Sequence, residues 1–255
     1  MRGLAVLAIL GIGAVAAHGQ TIVNPDGGIT IRTGTTFEVV SMLDTGVKHA
    51  FPGQPYSDKV TVTTVLLHGR NGGPETHTRT ERNYRDGDGR ERFESGDIVR
   101  LADPVGGFGV MLITRQKVAR VTRYTPPPYN AANAKRTEEL KAEGKAKREA
   151  RPDRPLLETL PEQTISGVRA EGVRETYTIP AGREGNAADV RIVVEIWTSP
   201  ELKIVVASSL DDPRSKKETL VVSDLARDEP DPKLFQIPPD YEAVDTATGA
   251  VTGPH

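Results

Sequence analysis

Cysteine is absent from the 255 residues, and its absence excludes two things. No disulfide can staple the fold, and no cysteine is available to carry the diacyl anchor of a bacterial lipoprotein. The folded part must therefore hold by core burial alone, and it is long enough for one core of ordinary size. Aromatic residues are scarce, 5% of the chain with a single Trp, so surfaces rich in stacking or lipid-facing rings are not expected. A dominant charge sign is also missing. The net charge is −2, with 27% charged residues of both signs interspersed, a surface that neither seeks nucleic acid nor strongly repels it. Beyond the first twenty residues no run is apolar enough to cross a bilayer.

The start of the chain is different. Met1-Arg2 leads into an apolar run from Leu4 to Ala17, followed by His18-Gly19-Gln20. A positive start, an apolar stretch and small residues before a polar one read as a secretory signal peptide. Cleavage is expected after Gly19, with Ala17 as the alternative. A membrane anchor is the competing reading, but the run is short for about 30 Å of hydrocarbon. Export to the periplasm or beyond the cell follows. The expected organisation is a signal peptide over 1–19, a flexible leader over 20–36, a single β-rich domain over 37–245 and a disordered tail over 246–255.

Short β-branched runs punctuated by turn residues fill the domain. Ile29 to Arg32 predicts a short strand, and Phe37 to Leu43 suits either strand or helix. Lys59 to His68 alternates, with Val60, Val62, Thr64 and Leu66 on one side. Thr76 to Arg85 has at least one wet face, and Asp86-Gly87-Asp88-Gly89 supplies the positive-φ residues of a hairpin turn within 76–95. Ile98 to Ala102, Phe108 to Thr114 and Val118 to Tyr124 follow. Thr164 to Val168 and Val173 to Ile179 are expected on either side of a turn at Arg169-Ala170-Glu171-Gly172. Val190 to Thr198 is the strongest strand, with Ile192, Val194 and Ile196 opposed to Val193 and Trp197. Leu202 to Ser208, Lys217 to Arg227 and a proline-rich tail around Leu234, Phe235, Ile237 and Tyr241 complete the set. Regular spacing of this kind predicts a mainly β fold of about ten strands, mostly antiparallel.

Residues 130–155 break the pattern. AANAKRTEELKAEGKAKREA favours helix by composition, yet Leu140 is its only large apolar residue and Gly144 interrupts it. A polar helical or disordered insertion is expected. Its basic residues could touch an anionic lipid or polymer, but interleaved glutamates weaken their field, and a solvated insertion is the plainer reading.

No motif rises to a catalytic, cofactor or metal site. Asp86, Asp88 and Glu91 lack the twelve-position ligand spread and flanking helices of a calcium loop. His49, His68 and His77 lack zinc-ligand spacing, although His68 and His77 could fall on neighbouring strands. There is no Gly-x-Ser-x-Gly elbow, P-loop or dinucleotide fingerprint. Gly106-Gly107-Phe108-Gly109 reads as a strand-linking turn. Trp197 is read as packing, and Phe235, Ile237 and Tyr241 as pins that hold the tail to the sheet. Catalytic, cofactor-binding and metal residues are therefore predicted to be none, with the ligand-binding residues unknown.

Several stretches resemble a family of small exported proteins of unassigned function, abundant in acidobacterial-type soil bacteria. They are Tyr84-Arg85-Asp86-Gly87-Asp88-Gly89-Arg90-Glu91-Arg92, Asp103-Pro104-Val105-Gly106-Gly107, Ile165 to Gly172, Thr178-Ile179-Pro180-Ala181-Gly182, Trp197 to Leu202, Asp212-Pro213-Arg214 and Glu229 to Tyr241. Together they cover most of 56–128 and 160–244; the charged insertion fits poorly. The late Trp-bearing strand and the Phe-x-x-Pro-x-x-Tyr ending are also similar in layout to outer-membrane lipoprotein carriers. That similarity implies a single curved antiparallel sheet, half-barrel-like, with apolar helices over its concave face. The helix candidate here departs from this by being polar all round.

The expected function is therefore non-enzymatic binding of an apolar or amphipathic, lipid-like ligand in a curved sheet. A protein-interaction or regulatory module of the envelope is the alternative, and an unrecognised hydrolase ranks third. Neither nucleic acid nor a transmembrane segment after signal cleavage is expected.

Overall fold

A computed structural model describes residues 52–123 and 155–251 in full, together with the backbone course of residue 252 and of three short strands before residue 52. Those three, β1 (Gly19–Val23), β2 (Ile29–Thr33) and β3 (Thr36–Val40), form a small antiparallel sheet of their own. The ambiguous stretch after Thr36 is thus a strand. The insertion at 130–155 lies outside the described residues except for its last position.

The main sheet is open, curved and mixed. Its strands are β4 (Tyr56–Leu66), β5 (Glu75–Arg85), β6 (Glu91–Ser95), β7 (Ile98–Asp103), β8 (Phe108–Ile113) and β9 (Val118–Arg123). Then come β10 (Leu156–Ile165), β11 (Val168–Ile179), β12 (Val190–Ser199), β13 (Ile204–Asp212), β14 (Lys216–Ala226), β15 (Glu242–Asp245) and β16 (Val251–Thr252). They run in the order β10-β11-β12-β13-β14-β4-β5-β6-β7-β8-β9-β15-β16. The single curved sheet expected from sequence is present, with 13 strands instead of about ten. Every pairing is antiparallel except that of β15 on β9.

That exception follows from the tail. After β14 the chain crosses the sheet instead of turning back. A 3-10 turn at Pro232–Phe235 lies against β6, where Arg92 donates to the Leu234 carbonyl at 2.8 Å. Phe235 and Tyr241 are buried, as read from sequence. The chain then enters the far edge parallel to β9. Residues 246–252, expected to lack structure, fold back through a turn capped by the Asp245 carboxylate, and β16 closes it.

A second difference lies in the β10–β11 hairpin. Its turn is Ser166-Gly167, both at positive φ (52° and 82°), a two-residue hairpin turn. Arg169-Ala170-Glu171-Gly172, expected to turn, runs through β11 instead. β10 starts well before Thr164 because Pro161, a strand breaker in the interior of a sheet, is tolerated beside a bulge between Leu160 and Gln163 on an edge strand.

Strand register divides the side chains between two faces. On the first face Ile192, Val194, Ile196, Leu210, Leu220, Val60 and Val62 line up across β12, β13, β14 and β4 and are all buried. The second face of these strands is wetter, with Thr61 opposite Thr80 and Thr63 opposite Thr78. Over β7–β9 the burial changes sides. Val99, Leu101, Val110, Leu112, Ala119 and Val121 of the second face are buried with Tyr241 and Ile237 of the crossing tail. The tail seals one half of the second face, and among the described residues nothing covers the first face of that half.

Candidate ligand-binding face

Residues 84–92, the Ser166-Gly167 turn, residues 197–202 and Glu229 meet at one end of the sheet, whereas residues 212–214 lie at the other, where Arg214 bonds Glu184. Arg85 donates to the Leu202 carbonyl at 2.7 Å, pairs with Glu91 at 2.8 Å and stacks on Tyr56 at 4.9 Å. Leu202, in the β12–β13 turn, is fully buried among Tyr56, Val168, Ala170, Val206 and Val222. Ser199 holds that turn through its side chain, which accepts from the Leu202 amide. Ser166 of the β10–β11 turn donates to the Val222 carbonyl at 2.6 Å. The Gly87 amide donates to both oxygens of Glu229 in the tail. Sequence-distant segments thus lock into one junction by charge-assisted bonds to backbone, which are stronger than neutral ones. Its work is structural.

The sequence candidates resolve accordingly. Asp86, buried, caps its own turn by accepting from the amides of Asp88 and Arg90 and from the Arg90 guanidinium. Asp88 is exposed near Arg90, and Glu91 belongs to Arg85. His77 of β5 pairs with Glu75 at 3.0 Å; His68 lies beyond the end of β4, and His49 lies outside the described residues. Among the described residues no group of three His, Asp or Glu is placed to hold a metal ion. Trp197 packs on Gly172, where a Cβ would come within 2.5 Å of the indole.

The open half of the first face was not singled out from sequence. Register carries it outward from β4 in rows. One row runs Asp58, Asn83, Phe93, Arg100, Met111, Arg120; the next runs Val60, Glu81, Ser95, Ile98, Ile113, Val118. Phe93, Ile98, Met111, Ile113 and Val118 are half-buried, and Arg100 and Arg120 are exposed. In both rows polar residues, Asp58 and Asn83 in one and Glu81 and Ser95 in the other, stand between the buried valines of β4 and these residues. Arg100 lies over the Phe93 ring at 5.7 Å.

Between the buried and open halves stands a polar strip. Asp58, 4% exposed, accepts from the Asn83 side chain at 2.8 Å. Burial pushes its carboxyl up to about 6, against the Asn83 bonds that pull it down. Burial, and next the neighbouring Asp58 charge, raise the Tyr56 phenol well above its ordinary range. Glu81 is held by Arg79 at 2.9 Å. A face with an apolar floor, a polar margin and two outward cations suits a ligand that is itself part apolar and part charged. The signal was present in the strand texts IVRLAD and VARVTR. Each places an arginine between two residues of the opposite, sealed face.

Neither a protein-family model nor a curated protein matches the sequence. Solved structures do show similar layouts. The crystal structure of MucB matches at 13% identity and a TM-score of 0.34, over 74% of this chain and 59% of that one. This chain therefore spans about three fifths of the MucB chain. The Mycobacterium tuberculosis lipoprotein LppX matches at 12% and 0.26, over 70% and 90%. A putative outer membrane lipoprotein-sorting protein domain from Vibrio parahaemolyticus matches at 8% and 0.25, over 71% and 89%. Similarity at this level transfers no residue role. The last two are a lipoprotein and a lipoprotein-sorting domain by name, and no helix among the described residues is long and apolar enough to cross a membrane.

Proposed function

We propose that the chain is an exported envelope protein that binds an apolar or amphipathic ligand, without chemical conversion, on the open half of the first face. The observation that carries this is the half-buried set Phe93, Ile98, Met111, Ile113 and Val118, which shares the first face with the buried residues of β4 and is separated from them by the polar strip of Asp58, Asn83, Glu81 and Ser95. A monomer that needed this surface only for its own core would seal it, as the crossing tail seals the other face. In this reading residues 1–19 are removed as a signal peptide, 20–36 form a leader, and 37–245 make up the binding domain with the charged insertion 130–155 within it.

The test is native mass spectrometry of the protein recovered from its own envelope fraction, with sequencing of its N-terminus. The expected result is a chain beginning at Gln20 that carries a lipid-sized mass released by organic solvent. A bare mass that stays bare after incubation with a lipid extract of the same envelope would overturn the binding reading.

A second reading, a protein-interaction module, is favoured by β10. It ends the sheet, and Leu156 and Leu157 on it are 63% and 62% exposed, a combination that invites strand addition by a partner. A partner that co-purifies with the native chain and is lost on Leu156→Lys/Leu157→Lys substitution would support it.

A further inference from the structure

Resting on that reading, we propose that Arg100 and Arg120 select an acidic phospholipid, holding its phosphate between them while the acyl chains lie along Ile98, Ile113 and Val118. The two arginines are the cross-strand neighbours of Met111 on either side. Their backbones are two strand spacings apart, about 10 Å, so two long side chains can meet over the Met111 thioether.

Their electrostatic state sets them apart. The other arginines of this face are neutralised, Arg79 by Glu81 and Arg85 by Glu91. Among the described residues neither Arg100 nor Arg120 forms an ion pair; Arg100 contacts only the Phe93 ring. The acidic groups of the face are accounted for. Glu81 and Glu91 are held by those arginines; Asp58, bonded to the neutral Asn83 side chain, lies four strands from Met111, about 19 Å along the row, and Glu242 sits exposed at the far margin opposite Val118. The net field over Met111 is therefore positive.

Two planar guanidinium groups present paired donors that match phosphate oxygens, which a single ammonium would not. The neighbouring row of Ile98, Ile113 and Val118 gives no purchase to a free inorganic anion but does to a chain. That argues for a lipid headgroup. Phe93, held under Arg100, keeps one guanidinium flat against the sheet and its edge available to the ligand.

The experiment is calorimetric titration of the purified full-length chain with dihexanoyl phosphatidylglycerol and dihexanoyl phosphatidylcholine, both below their micelle concentrations. Phosphatidylglycerol is expected to bind about tenfold tighter, with the margin shrinking as salt rises. Arg100→Gln/Arg120→Gln should bring the two lipids level by weakening phosphatidylglycerol more than phosphatidylcholine, whose phosphate the same arginines contact beside a cationic choline. Arg82→Gln, an exposed arginine on the opposite face of β5, should change nothing. Both substitutions in the double variant are at exposed positions, and an unchanged circular dichroism spectrum confirms that the fold is intact. Equal affinity of the native chain for the two lipids, or a double variant that keeps the preference, overturns the headgroup assignment and leaves the apolar-binding reading standing. Failure of both lipids to bind overturns both.

Discussion

Leu202→Ala is the sharpest probe of the junction. Leu202 has no exposed surface, and its enclosing residues come from β4, β11, β13 and β14. Truncation removes three carbons, about 2.4 kcal/mol of transfer free energy at ~0.8 kcal/mol per methylene. The turn cannot collapse to fill the space. Its backbone is pinned at the Leu202 carbonyl by Arg85 and at the Leu202 amide by Ser199. A cavity contribution therefore adds, and the total should be about 3–4 kcal/mol. The assay is urea unfolding followed by Trp197, the single Trp of the chain. With a slope of about 2–3 kcal/mol per molar for a domain of this size, the midpoint should fall by about 1–2 M. Leu156→Ala, at a position 63% exposed, is the control and should stay within about 0.5 kcal/mol of the parent. If the two variants shift the midpoint equally, Leu202 is not a plug and the junction does not organise the sheet.

Two further outcomes follow from buried side chains. Asp58, with a carboxyl raised to about 6 by burial, binds its proton more tightly folded than unfolded. Stability should therefore be lost as pH rises from about 4 to about 6, by up to about 3 kcal/mol. Asp58→Asn should flatten that limb and be at least as stable as the parent at pH 7; an unchanged pH profile of thermal unfolding would show that Asp58 is not the group responsible. Gly172→Ala would drive a methyl into the Trp197 ring, lowering stability by about 1–3 kcal/mol and shifting Trp197 emission; a parental spectrum and melting temperature would contradict that contact.

The strands were legible where alternation met clear punctuation. Val190–Ser199 and Tyr56–Leu66 are rich in β-branched residues at alternate positions, and proline- or glycine-bearing breaks mark their ends. The β10–β11 turn was misread because Ala170-Glu171-Gly172 looks more turn-like than Ser166-Gly167. Gly172 is small there not to turn the chain but to admit the Trp197 ring from the next strand. Pro161 hid β10 for a similar reason, since tolerance of proline depends on a strand being at an edge, and edge position is a property of the whole sheet.

What the sequence determines by itself is local or compositional: the signal-like start, the absence of disulfides, the β character and the individual strands. The tertiary structure alone decides which face of each strand is covered. Strand periodicity separates Arg100 and Arg120 from Val99, Leu101, Ala119 and Val121, but it does not say which set faces a cover. The crossing tail settles that. By laying Phe235, Ile237 and Tyr241 against the second face it seals the valines and leaves two arginines and an apolar row on the other side. Covering is a non-local event between segments more than a hundred residues apart, and its energy comes from apolar area removed from water only once the sheet has formed.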